Sequence, residues 1–265
     1  MVAVSEYLLD NRARQARDRF GALSALFDRV TDQHFEAIGV AAGWRCWEVG
    51  AGGPAVPRLL AERVHRGGTP GTVLATDIEI GWLGEMPAGV EVRQHDVVHD
   101  EVPGAGFDLV HARLVLVHLP ERETVLRRLA GTLRPGGWLF VEDVETALQP
   151  VAFLDPHADV EFLGNRIRAD FVALLEQRGA DMTFGRKLPR LLRWCGLVDV
   201  TADGRITLAH PGGADLERAN IDQVRAGLVG QGHVTAEEVD TYLSALDRLT
   251  PAGPPLISVY GRRPE

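Results

Sequence analysis

The stretch Trp44-Arg45-Cys46-Trp47-Glu48-Val49-Gly50-Ala51-Gly52-Gly53-Pro54 constrains the fold of this chain more than any other. Its first half reads as a strand and its second as a glycine turn. A helix-sized gap then leads to Val73-Leu74-Ala75-Thr76-Asp77, a second strand that ends in an acid. Glycines let a backbone turn sharply and approach a ligand closely. An acid at the tip of the next strand can accept both hydroxyls of a ribose. The order strand, glycine turn, helix, strand, acid predicts a nucleoside lying across the carboxyl ends of a parallel sheet.

A dinucleotide site asks for G-x-G-x-x-G, with the helix N-terminus free for a pyrophosphate. Gly50 and Gly52 fit, but position 55 is alanine. Pro54 sits where a first-turn proline belongs. Glu48 brings a carboxylate close to the turn, which suits a cationic ligand better than a diphosphate. S-adenosylmethionine carries a sulfonium and an ammonium and has no phosphate.

Further landmarks follow in order: Val92-Arg93-Gln94-His95-Asp96-Val97, then Phe107-Asp108-Leu109-Val110-His111-Ala112, then Leu133-Arg134-Pro135-Gly136-Gly137 before Trp138-Leu139-Phe140-Val141-Glu142. With Glu48, Gly50, Gly52 and Asp77, this ordered set resembles the class I S-adenosylmethionine-dependent methyltransferases. The departure is Gly53-Pro54, where many members carry a hydroxyl residue and a glycine. The resemblance implies a doubly wound α/β fold: a mostly parallel, seven-stranded Rossmann-like sheet with an antiparallel last strand. It implies S-adenosylmethionine as cofactor, held by Glu48, Gly50, Ala51, Gly52, Asp77, Ile78, Asp96, Val97, Arg113 and His118.

Composition agrees. The 265 residues can bury a full core, and 45% hydrophobic with 25% charged residues fits a globular chain. A formal charge of −9 disfavours nonspecific contact with nucleic acid or anionic membrane. Cys46 and Cys195 cannot make a disulfide framework, and Cys46 reads as a buried strand residue. The N-terminus lacks a signal-peptide run, and no segment approaches the length of a membrane helix. A cytoplasmic protein is the default expectation, with a homodimer left open. The arginine-rich, lysine-poor composition resembles that of high-GC actinobacterial proteins, an association with specialised metabolism.

The chain divides into four parts. Residues 1–43 read as a basic-amphipathic helical lid: Tyr7, Leu8, Leu9, then Arg12, Arg14, Arg17 and Arg19, with Phe20, Leu23, Leu26, Phe27 and Val30 at helical spacing. Residues 44–143 form the cofactor half. There Pro120 is expected in the first turn of a helix whose apolar face is Val125, Leu126, Leu129, Ala130 and Leu133, stopped by Pro135-Gly136-Gly137. Residues 144–184 read as a cap over the acceptor, with a helix over 165–177 pointing Ile167, Phe171, Leu174 and Leu175 inward. Residues 185–265 resume the sheet, with helices over 188–195, 214–230 and 235–249 and strands over 196–200 and 256–261.

Methyl transfer is an in-line displacement, to which an enzyme contributes mainly proximity and exclusion of water. A hydroxyl or carbon nucleophile also profits from a base. His118, just past strand four, is one candidate, with a structural histidine as the alternative. His157 in the cap is another. Glu142 and Asp143, ending strand five, are expected to face the pocket, Glu142 as the third candidate. His95-Asp96 and His99-Asp100 invite a metal, but adjacent strand residues point to opposite faces, so no metal site is assigned. Arg166, Arg168 and Arg178 could bind an acidic substrate or form a solvated helix face. Phe153, Leu154, Phe162 and Leu163 point to a hydrophobic or aromatic small-molecule acceptor. Two other classes stay open: a nicotinamide-dependent oxidoreductase, and a methyltransferase fold that binds cofactor without methylating.

Overall fold

The computed structural model describes residues 8–67 and 69–265; Tyr7, placed on the lid by its periodicity, lies outside them. The helices are α1 (Gln15–Ile38), α2 (Ala55–Val64), α3 (Arg122–Gly131), α4 (Asp159–Gln177), α5 (Leu188–Trp194), α6 (Pro211–Gly230) and α7 (Ala236–Ala245). The strands are β1 (Arg45–Val49), β2 (Thr72–Asp77), β3 (Val90–Gln94), β4 (Phe107–Arg113), β5 (Leu133–Val144), β6 (Val198–Arg205) and β7 (Leu256–Arg262). They form one seven-stranded sheet in the order β3-β2-β1-β4-β5-β7-β6. β7 runs antiparallel between β5 and β6, and the other six strands are mutually parallel.

Side-chain alternation along the strands builds two cores. Cys46, Val73, Leu109 and Phe140 point to one face, where Phe35 and Ile38 of α1 and Val56 and Leu60 of α2 cover them. Trp47, Val110, Leu139 and Val141 point to the other face, under Leu126 and Leu129 of α3 and Leu188 and Leu192 of α5. Strand order reverses between β1 and β4. That switch point opens a crevice outside the carboxyl ends of the strands, where doubly wound sheets bind ligands.

A third core lies above the crevice. Ile167, Phe171 and Leu175 of α4 pack with Ile221, Val224 and Leu228 of α6 and Val239 and Tyr242 of α7. The cap is thus made of two separate stretches of chain, and α6 and α7 belong to it rather than flanking the sheet. α6 also packs along α1 through Leu216, Leu26 and Phe27. α7 starts with reciprocal capping: Thr235 Oγ1 accepts from Glu238 N (3.1 Å) and Glu238 Oε2 from Thr235 N (2.8 Å).

Several local expectations shift. Pro120 lies outside α3, because the Glu121 carbonyl takes the first helical hydrogen bonds, from Thr124 and Val125. Pro135-Gly136-Gly137 does not stop α3. The helix ends at Gly131, and the Thr132 hydroxyl donates back to the Leu129 carbonyl (2.7 Å). The Pro-Gly-Gly segment lies inside β5, where the register against β4 slips between Phe107 and Leu109. α4 begins at Asp159, six residues before the expected start, as Glu161 Oε2 accepts from the backbone of His157 and Ala158.

Candidate functional site

A cavity of about 730 Å³ fills the crevice and continues under the cap. Its floor is the turn after β1. Gly50 and Gly52 hold φ of 62° and 60°, left-handed values that disfavour side chains. A β-carbon on Gly50 would stand 2.4 Å from Val115 Cγ2, and one on Gly52 2.6 Å from the Phe20 ring of α1. The turn is therefore crowded by the protein itself, before any ligand enters.

Asp77 at the tip of β2 binds this turn. Its Oδ2 accepts from Gly52 N (2.8 Å) and its Oδ1 from Glu79 N (2.9 Å). Burial raises its pKa despite these bonds. An ionised carboxylate offers about four lone-pair positions, so these backbone bonds leave room for a ligand donor. Ile78 follows, half exposed and lining the cavity. Ala51, Asp96, Val97, Arg113 and His118 also line it.

Two of these carry further duties. Asp96 lies two residues past β3, where its Oδ1 accepts from Val98 N (2.8 Å) and His99 N (3.2 Å) and its Oδ2 meets His99 Nδ1 (2.9 Å). Burial works against it, yet these bonds hold the carboxyl below its ordinary value. Arg113 ends β4 and ties α1 down, donating to Thr31 Oγ1 (2.9 Å) and Asp28 Oδ1 (2.8 Å). Between these groups, Leu114 adopts φ 58° and also lines the cavity, a backbone state costing a non-glycine residue about 1–3 kcal/mol.

Glu48 does not line the cavity. It is wholly buried and turned sideways, toward the residue beside it in register on β4, His111. His111 donates from Nδ1 to Glu48 Oε2 (2.6 Å) and from Nε2 to Glu142 Oε2 (3.3 Å). Glu142 further accepts from Thr31 Oγ1 (2.5 Å) and Ser258 Oγ (2.6 Å). Against the opposing cost of burial, the two carboxylates push the His111 pKa up to about 9. The result is an imidazolium clasped between two acids. Glu142 is thus committed inside the sheet, not presented to an acceptor, and Asp143 is fully buried as well. Sequence reasoning passed over His111. The available signal was a histidine inside an apolar central strand, a position that demands polar partners.

The two histidine candidates part company. His157 is exposed, with Nε2 3.2 Å from Asp155, and does not line the cavity. His118 is enclosed at the cavity wall after β4. Burial, then the nearby cations Arg19 and Arg122, lower its pKa to about 3. It stays neutral at physiological pH, which makes it a hydrogen-bonding group and a very weak base. His95 does not pair with Asp96. Its Nε2 meets the Glu101 carbonyl (2.9 Å).

The cap wall is largely apolar, with Phe171, Val172, Leu175, Met182 and Leu216. The arginine cluster splits there. Arg166 pairs with Glu238 on the surface, and Arg178 is exposed at the rim. Arg168 turns inward to an ion pair with Glu217, and both line the cavity. Glu217 and Asn220, one turn apart on α6, carried no sequence motif.

Residues 47–141 match a family model described as a methyltransferase domain. Methyltransferase str3 of Strobilurus tenacellus is 36% identical over 110 residues, covering 40% of this chain and 37% of that protein. Methyltransferase GfsG of Streptomyces halstedii is 27% identical over 169 residues, covering 58% of this chain and 59% of that one. The chain thus matches well under two thirds of the length of either relative. Among solved structures, phosphoethanolamine N-methyltransferase 2 of Haemonchus contortus, in complex with phosphomonomethylethanolamine and S-adenosylhomocysteine, superposes with a TM-score of 0.59. That likeness is at 14% identity and covers 100% of this chain and 61% of the other.

Proposed function

We propose, for a chain whose residues 47–141 form a class I methyltransferase domain, that it transfers a methyl group from S-adenosylmethionine to a small, largely apolar acceptor. One observation carries this reading: the glycine turn, Asp77, Ile78 and Asp96 share a single cavity that runs on beneath an apolar cap. The residues fit the nucleoside. Asp77 would accept from the ribose hydroxyls, Ile78 would give an apolar side chain to the base, and Asp96 would give a carboxylate to its exocyclic amine. Gly50, Ala51 and Gly52 would let the methionine portion approach the backbone.

Bound S-adenosylmethionine would supply a methyl carbon activated by its sulfonium. The chain's own contribution is alignment and exclusion of water. α1 lies across the turn through Phe20 and is held there by Arg113. His118 orients what it touches rather than removing a proton, since a base with so low a pKa has little driving force. The lysine-poor composition supports a place in specialised metabolism. No helix among the described residues is long and apolar enough to cross a membrane, in keeping with a cytoplasmic enzyme.

The test is equilibrium binding by calorimetry of S-adenosylmethionine and of NAD, followed by mass spectrometry of candidate acceptors. Tight binding of the first and the gain of one methyl are expected. Preference for NAD would reinstate the oxidoreductase reading. Cofactor binding with no methylated product from any acceptor would leave a cofactor-binding fold without transfer.

A further inference from the structure

Beneath the cap, the cavity is lined by an ion pair between two helices. Arg168 of α4 reaches Glu217 of α6 through both Nε and Nη2, and both contacts fall on the same oxygen, Oε1. Nη2 also donates to the Ala252 carbonyl (3.1 Å). Glu217 Oε2 takes no hydrogen bond among the described residues. The side chains are 11% and 4% exposed, and both residues line the cavity. One turn along the same face of α6, Asn220 also lines the cavity, and its Oδ1 is buried without a partner among the described residues. Among the described residues, this end of the cavity therefore sets Glu217 Oε2 and Asn220 Oδ1 beside Arg168 Nη1 and Asn220 Nδ2, all without a hydrogen-bond partner, in an apolar wall.

We propose that the Arg168–Glu217 pair is the specificity determinant for the methyl acceptor, selecting a neutral, mostly apolar molecule that bears a hydroxyl or N–H. The donor group meets Glu217 Oε2, and Arg168 fixes the carboxylate by holding its other oxygen. A carboxylate oxygen that has no protein donor in an apolar wall gains free energy from a donor on the ligand. The same arrangement rejects carboxylates. Arg168 is already neutralised, and an incoming anion would face Glu217 in a low-dielectric wall. The inference rests on the methyltransferase reading for what the chamber is for, and on the geometry alone for what it selects.

The experiment uses the full chain saturated with S-adenosylhomocysteine, titrated calorimetrically with four aryl probes substituted at one ring position: naphthol, naphthylamine, methoxynaphthalene and naphthoate. Naphthol and naphthylamine are expected to bind about 10-fold more tightly than methoxynaphthalene, the worth of one hydrogen bond to a charged group. Naphthoate is expected to bind most weakly. The double variant Arg168→Met with Glu217→Leu keeps the wall apolar, and such exchanges of a buried pair are often tolerated. It should still bind methoxynaphthalene while losing the preference for donors. Equal affinity for naphthol and methoxynaphthalene, tightest binding of naphthoate, binding of none of the four, or a donor preference that survives in the double variant would each overturn the proposal. The wild-type series decides the matter even if the variant does not fold. Failure of S-adenosylhomocysteine itself to bind overturns the methyltransferase reading instead, so the two failures are distinguishable.

Discussion

A histidine at the wall of the proposed methyl-transfer site invites a proton-abstracting role, but the surroundings of His118 argue otherwise. Burial beside Arg19 and Arg122 lowers its pKa to about 3, so it is already neutral across the working range. The rate should then show no acid limb between about pH 5 and 8 of the kind an ordinary histidine base produces. His118→Asn should retain activity within a few-fold of wild type, while His118→Ala, which cannot hydrogen-bond, should lose more. A limb near pH 6.5 in the kcat/KM profile would restore the base. The same shift has a stability consequence. The unfolded histidine takes a proton below its ordinary value of about 6.5, while the folded one resists until about 3. Folding stability from this group is thus lost as pH falls through that window. Asp77 carries two loads, since it holds Gly52 as well as facing the cavity. Asp77→Ala should weaken cofactor binding by about 1–3 kcal/mol and also lower the unfolding midpoint. Calorimetry and thermal unfolding read these separately, and an unchanged affinity would remove Asp77 from the ribose.

At the scale of elements, α1 is the part whose role sequence periodicity described least completely. Phe20, Leu26, Phe27 and Val30 do share an apolar face, but Arg19 does not belong to a solvated stripe. It is 3% exposed and donates to Gln223 Oε1 (2.5 Å) and Asn11 Oδ1 (2.7 Å). Phe20 closes over the glycine turn, and the Arg113 bonds to Asp28 and Thr31 anchor the helix. Gly52→Val should abolish cofactor binding while the sheet stays folded. Adding Phe20→Ala should not rescue it, because the left-handed φ remains strained. Full rescue would show that the ring alone makes glycine necessary. Asp28→Asn keeps an acceptor for Arg113 but removes its charge, so that only neutral acceptors hold the anchor. Amide exchange in α1 should quicken and cofactor affinity fall a few-fold; exchange at the wild-type rate would show that packing on α6 suffices to hold the helix.

Across the whole molecule, the Glu48–His111–Glu142 clasp joins β1, β4 and β5 to each other, to α1 through Thr31 and to β7 through Ser258. His111→Phe leaves two carboxylates buried without their cation and should cost about 3–5 kcal/mol in chemical denaturation. In the wild type the sign follows from the raised pKa. The stabilisation is complete below the ordinary histidine value of about 6.5 and is lost as pH rises through about 9. An unfolding free energy that does not fall across that alkaline window would show the clasp to be neutral. Much of this architecture was legible in the chain. Strand alternation, the glycine turn, the acid ending β2 and the apolar faces of α3 and α4 are local patterns, and local sterics and burial enforce them residue by residue. They determine the sheet, its strand order by resemblance, and the floor of the cavity. What spacing could not show was which way the polar side chains turn. Glu48 and His111 lie 63 residues apart, His111 and Glu142 31 apart, Arg168 and Glu217 49 apart. Each pairing exists because sheet register or helix packing brings distant chain together in a place too dry to leave a charge alone. These local patterns were enough to foretell a crevice at the carboxyl ends of the strands. That Glu48 and Glu142 serve the sheet, and that Arg168 and Glu217 line the chamber, follows from the packing of segments far apart in the chain.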